Sequence, residues 1–206
     1  MAITKISNNS LSAISTLPAS IPTGALTLLS TQTASSSASI SFTSGINSTY
    51  DSYVFKFIEI HPGTQGSGGS VVFQFQGSTN SGSTYATTMT TTRFMAYHNE
   101  ADTATSLGYD ASRDLAQSTN FQDVTADVGA DADSNTSGYL QIFNPSSTTY
   151  VKHFIMRTSS VNQDNNYIVD AYTAGYFNTT SAIDAVQFKM SSGNIDDGII
   201  KMYGVS

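Results

Sequence analysis

Along most of the chain the hydrophobic positions recur with a period of two. Between residues 37 and 42, Ala38, Ile40 and Phe42 share one parity, and Ser37, Ser39 and Ser41 share the other. Such alternation is what a half-buried strand requires, because successive side chains point to opposite faces of a sheet. The same pattern sets Val71, Phe73 and Phe75 against Gln74 and Gln76. Residues 53–60 form a nearly continuous apolar run broken by Lys56 and Glu59, as expected of a central strand covered on both faces. Further strands are predicted at 25–32, 87–96, 139–143, 151–159, 167–177, 186–190 and 199–203. They are rich in aromatic and β-branched residues and bounded by Gly, Asn, Ser or Pro. This count predicts an all-β chain, an antiparallel β-sandwich of jelly-roll-like form. The one helix predicted is short and lies within 110–117. The glycine-rich connection 61–70 suggests that 53–60 and 71–76 form an antiparallel hairpin. Phe55 and Phe57 then face a common side, and Gln74 and Gln76 face solvent.

The first 23 residues read differently. Ile3, Ile6, Leu11, Ile14 and Leu17 are scattered without helical period, and Pro18 and Pro22 follow. Each proline removes a backbone donor and biases its predecessor to extended geometry. Residues 1–23 are therefore predicted to be an extended attachment arm whose apolar residues contact another surface, and 24–206 to be the sandwich. The alternative is a disordered terminus. The interval 99–135 is too polar to read as core and too long for an ordinary loop, which suggests decorated structure or a functional excursion.

Composition narrows the function classes. Charged residues make up 11% of the 206, well under the roughly one quarter of an ordinary domain. The solvated surface must then be built from Ser, Thr, Asn, Gln and Gly. The net charge is -7, and no Lys/Arg run supplies the footprint of a nucleic-acid or anionic-membrane binder. No stretch has the apolar length of a membrane span, and the first residues lack the apolar core of a signal peptide. The chain has no cysteine, so disulfides and thiolate metal sites are excluded.

Candidate chemistry is sparse. His61, His98 and His153 do not stand at metal-ligand spacing, and no nucleophile elbow, phosphate-binding loop or zinc spacing occurs. Asp131, Asp133 and Asn135 match the opening of a calcium loop. Thr136 and Ile142 then occupy the positions where an EF-hand needs Gly and Glu. The stretch containing Asp123, Asp127, Asp131 and Asp133 reads as a solvated acidic loop, with a looser calcium site as the alternative. No catalytic residue, cofactor or metal is predicted, and the chain is expected not to be an enzyme. The tyrosines offer one binding chemistry, since exposed rings beside amides and carboxylates suit sugars. Tyr85, Tyr97, Tyr109 and Tyr167 are the candidate loop-tip sugar contacts, against the plainer reading of sandwich core or rim.

Several segments resemble a module of tailed-phage structural proteins, those of marine phages in particular, described as tail-fibre, appendage or head-decoration components. The likeness rests on the strand TASSSASISF followed by the turn Gly45–Tyr50. It extends to the aromatic strand closing on His61 and Pro62, the loop Ser78–Tyr85, and the terminal pattern Gly198–Gly204. The opening ITKISNNSLSAISTLP is similar to the attachment segments of such proteins. The resemblance implies a virion location on the capsid surface or tail after synthesis in the host cytoplasm. It also implies contact with major capsid or tail proteins, and a homotrimer or other symmetric assembly. The chain lacks the shaft repeats of a long fibre, so the expectation is a head-decoration protein or short appendage. A host-surface adhesin binding glycan is the alternative, and a polysaccharide-degrading enzyme is the least favoured. No nucleic acid partner and no membrane insertion are expected.

Overall fold

The structure is a computed structural model that describes residues 26–64, 71–162 and 166–206. Among these, twelve strands form and no helix. They are β1 (Thr27–Thr33), β2 (Ile40–Phe42), β3 (Ser52–Pro62), β4 (Phe73–Ser78), β5 (Met89–Asn99), β6 (Thr105–Tyr109), β7 (Gln122–Asp123), β8 (Thr136–Phe143), β9 (Lys152–Asn162), β10 (Tyr167–Phe177), β11 (Ala185–Met190) and β12 (Ile195–Val205). They make an antiparallel sandwich. An eight-stranded sheet has the order β1-β12-β3-β8-β9-β10-β5-β6, and a four-stranded sheet the order β2-β11-β4-β7. The predicted arm contacts Ile3, Ile6, Leu11, Ile14 and Leu17 lie outside the described residues.

The connectivity is that of a jelly roll with one expansion. From β2 to β5 the chain changes sheet at every step, β5 and β6 are neighbours, and β7 returns to the small sheet. A jelly roll of eight strands would then place a single strand beside β3 and β5. Here the meander β8-β9-β10 fills that place, and β11 and β12 complete the two sheets.

The core lies between the small sheet and the middle of the large one. At its centre Phe188 of β11 is ringed by five aromatic side chains. Phe73 and Phe75 come from β4, Phe42 from β2, and Phe55 and Phe57 from β3, with centroids 5.2–6.3 Å away. A second cluster joins Phe75 to Phe154 and Phe177. Gly77 is where the sheets press closest. A Cβ there would stand 2.7 Å from the Phe177 ring, so the close approach demands glycine.

The structure corrects four expectations. Strands β3 and β4 are not a hairpin. They lie in different sheets and meet face to face, with Phe57 packing edge-on against Phe73 at 5.2 Å. Residues 110–117 form turns and bends, with no helix. Gln76 is fully buried: residues 119 and 120 cross over it, and their carbonyls accept its amide at 3.1 and 2.9 Å. The polar interval 99–135 contains β6 and β7, and its Val124, Ala126 and Val128 are buried.

Replacing Phe73 by Ala should cost about 3–5 kcal/mol by deleting a ring that touches both sheets. Gln74→Ala, at a partly exposed position where the amide donates to Asp123 at 2.7 Å, should cost about 1 kcal/mol or less. Gln76→Ala should cost about 1–3 kcal/mol, because the buried Gly77 N–H loses its acceptor and the carbonyls of residues 119 and 120 lose their donor. Urea unfolding of the three variants checks the order, and a Gln76 variant as stable as the Gln74 variant would contradict the burial described.

Candidate functional site

The large sheet has twice the strands of the small one; β10 and β5 lie against β4 and β7 of the four-stranded layer, and exposed β6 forms the edge. The inner face at this end is closed by residues 110–128, which include β7, through a polar network. Arg93 points inward from β5 and is fully buried. Its Nε donates to Asp110 at 3.0 Å, and its Nη1 donates to the Asp123 carbonyl at 3.0 Å. Burial holds its pKa below the ordinary arginine value, against the pull of Asp110. Arg113 sits one shell outward and donates to Asp123 at 3.1 Å and Asp127 at 2.7 Å. Burial alone would lower its pKa, but Asp127 and Asp123 outweigh it and the net shift is upward. Thr91 donates to Gln122, and Thr158 donates to the Val124 carbonyl, which pins the segment on either side of Asp123. Two of the aspartates read as a solvated acidic loop are therefore anchors for arginine. Among the described residues, no group of three or more His, Asp or Glu side chains is placed to hold a metal ion.

The four tyrosines singled out from the sequence do not converge. Tyr97 and Tyr167 meet edge-on at 5.0 Å and line a 200 Å³ pocket with Arg113 and Val169. Tyr85 lines an open polar groove of 450 Å³ on the far side of residues 110–128, together with Phe121, Asn120, Asp114 and Lys189. In that groove the Lys189 ammonium lies 4.3 Å from the centre of the Phe121 ring. Tyr109 is elsewhere, on the outer face of the large sheet, where its hydroxyl donates to Asp114 and its pKa is raised by that bond. Of the histidines, His61 contacts the Ser134 carbonyl at 2.6 Å, His98 pairs with Asp102, and His153 is an exposed strand residue near Tyr176.

The outer face of the large sheet is the most extensive feature. Strand register places Tyr109, Phe94 and Tyr172 side by side on β6, β5 and β10. The same row continues through Arg157 on β9, Tyr139 on β8 and Lys56 on β3, and ends at Lys201 and Thr31. Phe94 and Tyr172 stack at 4.8 Å with their planes 6° apart. The Arg157 guanidinium covers the ring of Tyr172 from the next strand at 4.7 Å. It also grips Asp170 through two bonds of 3.0 and 2.8 Å. The hydrogen bond from Arg157 holds the Asp170 carboxyl below the usual aspartate range, and the same bond raises the arginine. Apolar side chains flank the row, with Leu107 72%, Ile168 46% and Ile155 41% exposed. Large apolar side chains exposed on one contiguous face are unusual for an ordinary solvated sheet.

Sequence reading missed this face. Its signal was present in Tyr167–Phe177, where Ile168, Tyr172 and Tyr176 occupy the parity opposite Val169, Ala171 and Phe177. The sequence reading takes 167–177 only as a strand and assigns no exposed face to it.

Comparison with protein-family models, with curated proteins and with solved structures finds no match for the chain. Among the described residues no helix is long and apolar enough to cross a membrane.

Arg93→Met should destabilise by about 3–5 kcal/mol because Asp110 is left charged and buried. Adding Asp110→Leu should recover most of that loss, and a denaturant double-mutant cycle reads the coupling. For Asp170 the folded carboxyl titrates lower than the unfolded one. Its contribution is therefore complete above the ordinary aspartate pKa of about 4 and is lost as pH falls through the depressed value. Asp170→Asn should show a shallower loss of stability on the acid side, measured as melting temperature against pH, and an unchanged acid limb would contradict the pairing.

Proposed function

We propose that the chain is a non-enzymatic structural protein of a tailed-phage virion. Residues 1–23 attach it to a capsid or tail protein, and the sandwich presents or cements through its sheets. The observation that carries the reading is the outer face of the eight-stranded sheet, whose stacked rings and exposed aliphatic side chains suit lasting contact with another protein surface. Enrichment in Tyr, Phe and Arg is the composition of an interface core. A surface otherwise made of Ser, Thr, Asn and Gly accords with a particle component. Symmetric homo-oligomerisation fits the same reading.

The groove around Phe121 favours a second reading, a glycan-binding adhesin. A ring beside Lys189, Asn120 and Asp114 offers both a stacking surface and polar groups for hydroxyls. Binding to a glycan array, abolished by Phe121→Ala without loss of folding, would establish it.

The primary test is imaging of purified particles with the chain tagged at its C-terminus. A chain lacking residues 1–23 should unfold cooperatively yet be missing from particles. Equal incorporation of the truncated and full chains would refute attachment by the arm. Particles free of the full-length protein would refute the virion reading itself.

A further inference from the structure

We propose that a second copy of this chain packs face to face on the outer surface of the eight-stranded sheet, about a twofold axis parallel to the strands between β8 and β9. The proposal supplies the partner for the surface on which the structural reading rests.

The argument starts from the order of side chains across the row. The strand order β1-β12-β3-β8-β9-β10-β5-β6 has its midpoint between β8 and β9. On one side of that midpoint stand Tyr139, Lys56 and Lys201, and on the other Arg157, Tyr172 and Phe94. A twofold axis along the strands places each position opposite its mirror in the order. Arg157 then meets the second copy's Tyr139, Lys56 meets Tyr172, and Lys201 meets Phe94. Each cation is set against an aromatic ring, and no cation is set against a cation. An axis perpendicular to the strands would instead bring β3 onto β3, opposing Lys56 to Lys56. Like charges directly opposed are penalised, whereas here each cation instead lays its apolar stem against an aromatic side chain.

In the flanking rows Ser137 would meet Ser159 and Ile199 would meet Ala96 on one side, where Ile58 falls opposite the paired Asp170, while Val54 would meet Ala174 on the other. Asp170 is the carboxylate in these three rows, although the chain has 15 Asp and Glu, and Arg157 already neutralises it. The copies therefore do not bring acid against acid, despite the net charge of -7. The face is also large enough. Eight strands about 4.8 Å apart, with an 11-residue strand rising about 3.3 Å per residue, give roughly 1,200 Å². A standard stable interface needs about 800 Å² from each partner.

A glycan is a poorer occupant of this face. Sugars stack on exposed ring faces, but Phe94 and Tyr172 cover one another, and Arg157 lies over the next face along the row. Ring edges are what the row presents, and these suit the flat packing of one sheet on another.

Sedimentation equilibrium of the full chain should show a dimer at micromolar concentration. Phe94→Lys sets a cation against Lys201 and should raise the dimer dissociation constant at least about tenfold, while the melting curve of the monomer is retained. Adding Lys201→Glu should restore dimerisation, because the two changes meet only across the proposed axis. Two layers about 10 Å apart are too distant for a disulfide, so a short bismaleimide is the suitable probe of register. In this cysteine-free chain, Phe94→Cys and Lys201→Cys variants should cross-link when mixed, and neither should cross-link efficiently alone.

A full chain that stays monomeric overturns the proposal. If such a monomer loses incorporation into particles on Phe94→Lys, the face belongs to a different virion protein, and the structural reading survives without the dimer. A chain that dimerises only after removal of residues 1–23 overturns it in favour of the arm as occupant. A dimer indifferent to Phe94→Lys overturns it in favour of another surface.

Discussion

Phe188 is the point on which the two sheets close. Its ring touches side chains from β2, β3 and β4, so one residue of a short strand fixes the spacing and register of both layers. Aromatic pairs of this kind add about 0.5–1.5 kcal/mol each beyond the area they bury. They also impose edge-on and offset geometries that a looser aliphatic core would not. Because the small sheet has four strands, this aromatic closure covers only the middle of the large sheet. The rest of the inner face must be covered otherwise, and the polar segment 110–128 does so.

That substitution explains why charge appears in the interior of a chain so poor in charge. Arg93 and Arg113, with Asp110, Asp123 and Asp127, tie β7 and the irregular chain around it to the large sheet, where β-pairing is limited to the Met89–Ser118 bridge. Hydrophobic packing is non-directional and would leave such a segment free to slide. Directional bonds to carboxylates and carbonyls fix it in one place. Its eight strands in turn give the large sheet an outer face wider than the aromatic core beneath it.

The fold class was legible from alternation. Runs such as that of Val71, Phe73 and Phe75 gave the strands nearly to their ends, and the strand count gave the sandwich. Pairing was not legible in the same way. The glycine-rich 61–70 segment looks the same whether it turns a hairpin or crosses between layers, and only the packing of Phe57 on Phe73 decides for the crossing. The burial of Gln76 was invisible because its partners are backbone carbonyls 43 and 44 residues away. Of the tyrosines, Tyr109 does belong to the exposed row, but Tyr85, Tyr97 and Tyr167 are dispersed to other places. The row itself depends on register between β3, β8, β9, β10 and β5, which no local pattern encodes.

The outermost pairings of the sandwich join opposite ends of the described chain. Strand β1 is hydrogen-bonded to β12, and β2 to β11. During synthesis the first strands therefore leave the ribosome long before their partners exist. Contacts so distant in sequence make folding slow, in the millisecond to second range of all-β domains. Through that interval Ile40, Phe42 and the aromatic run of β3 are unpaired and open to association with other nascent chains. A surface of serine and threonine, soluble without relying on charge repulsion, lets the chain wait for its last strand.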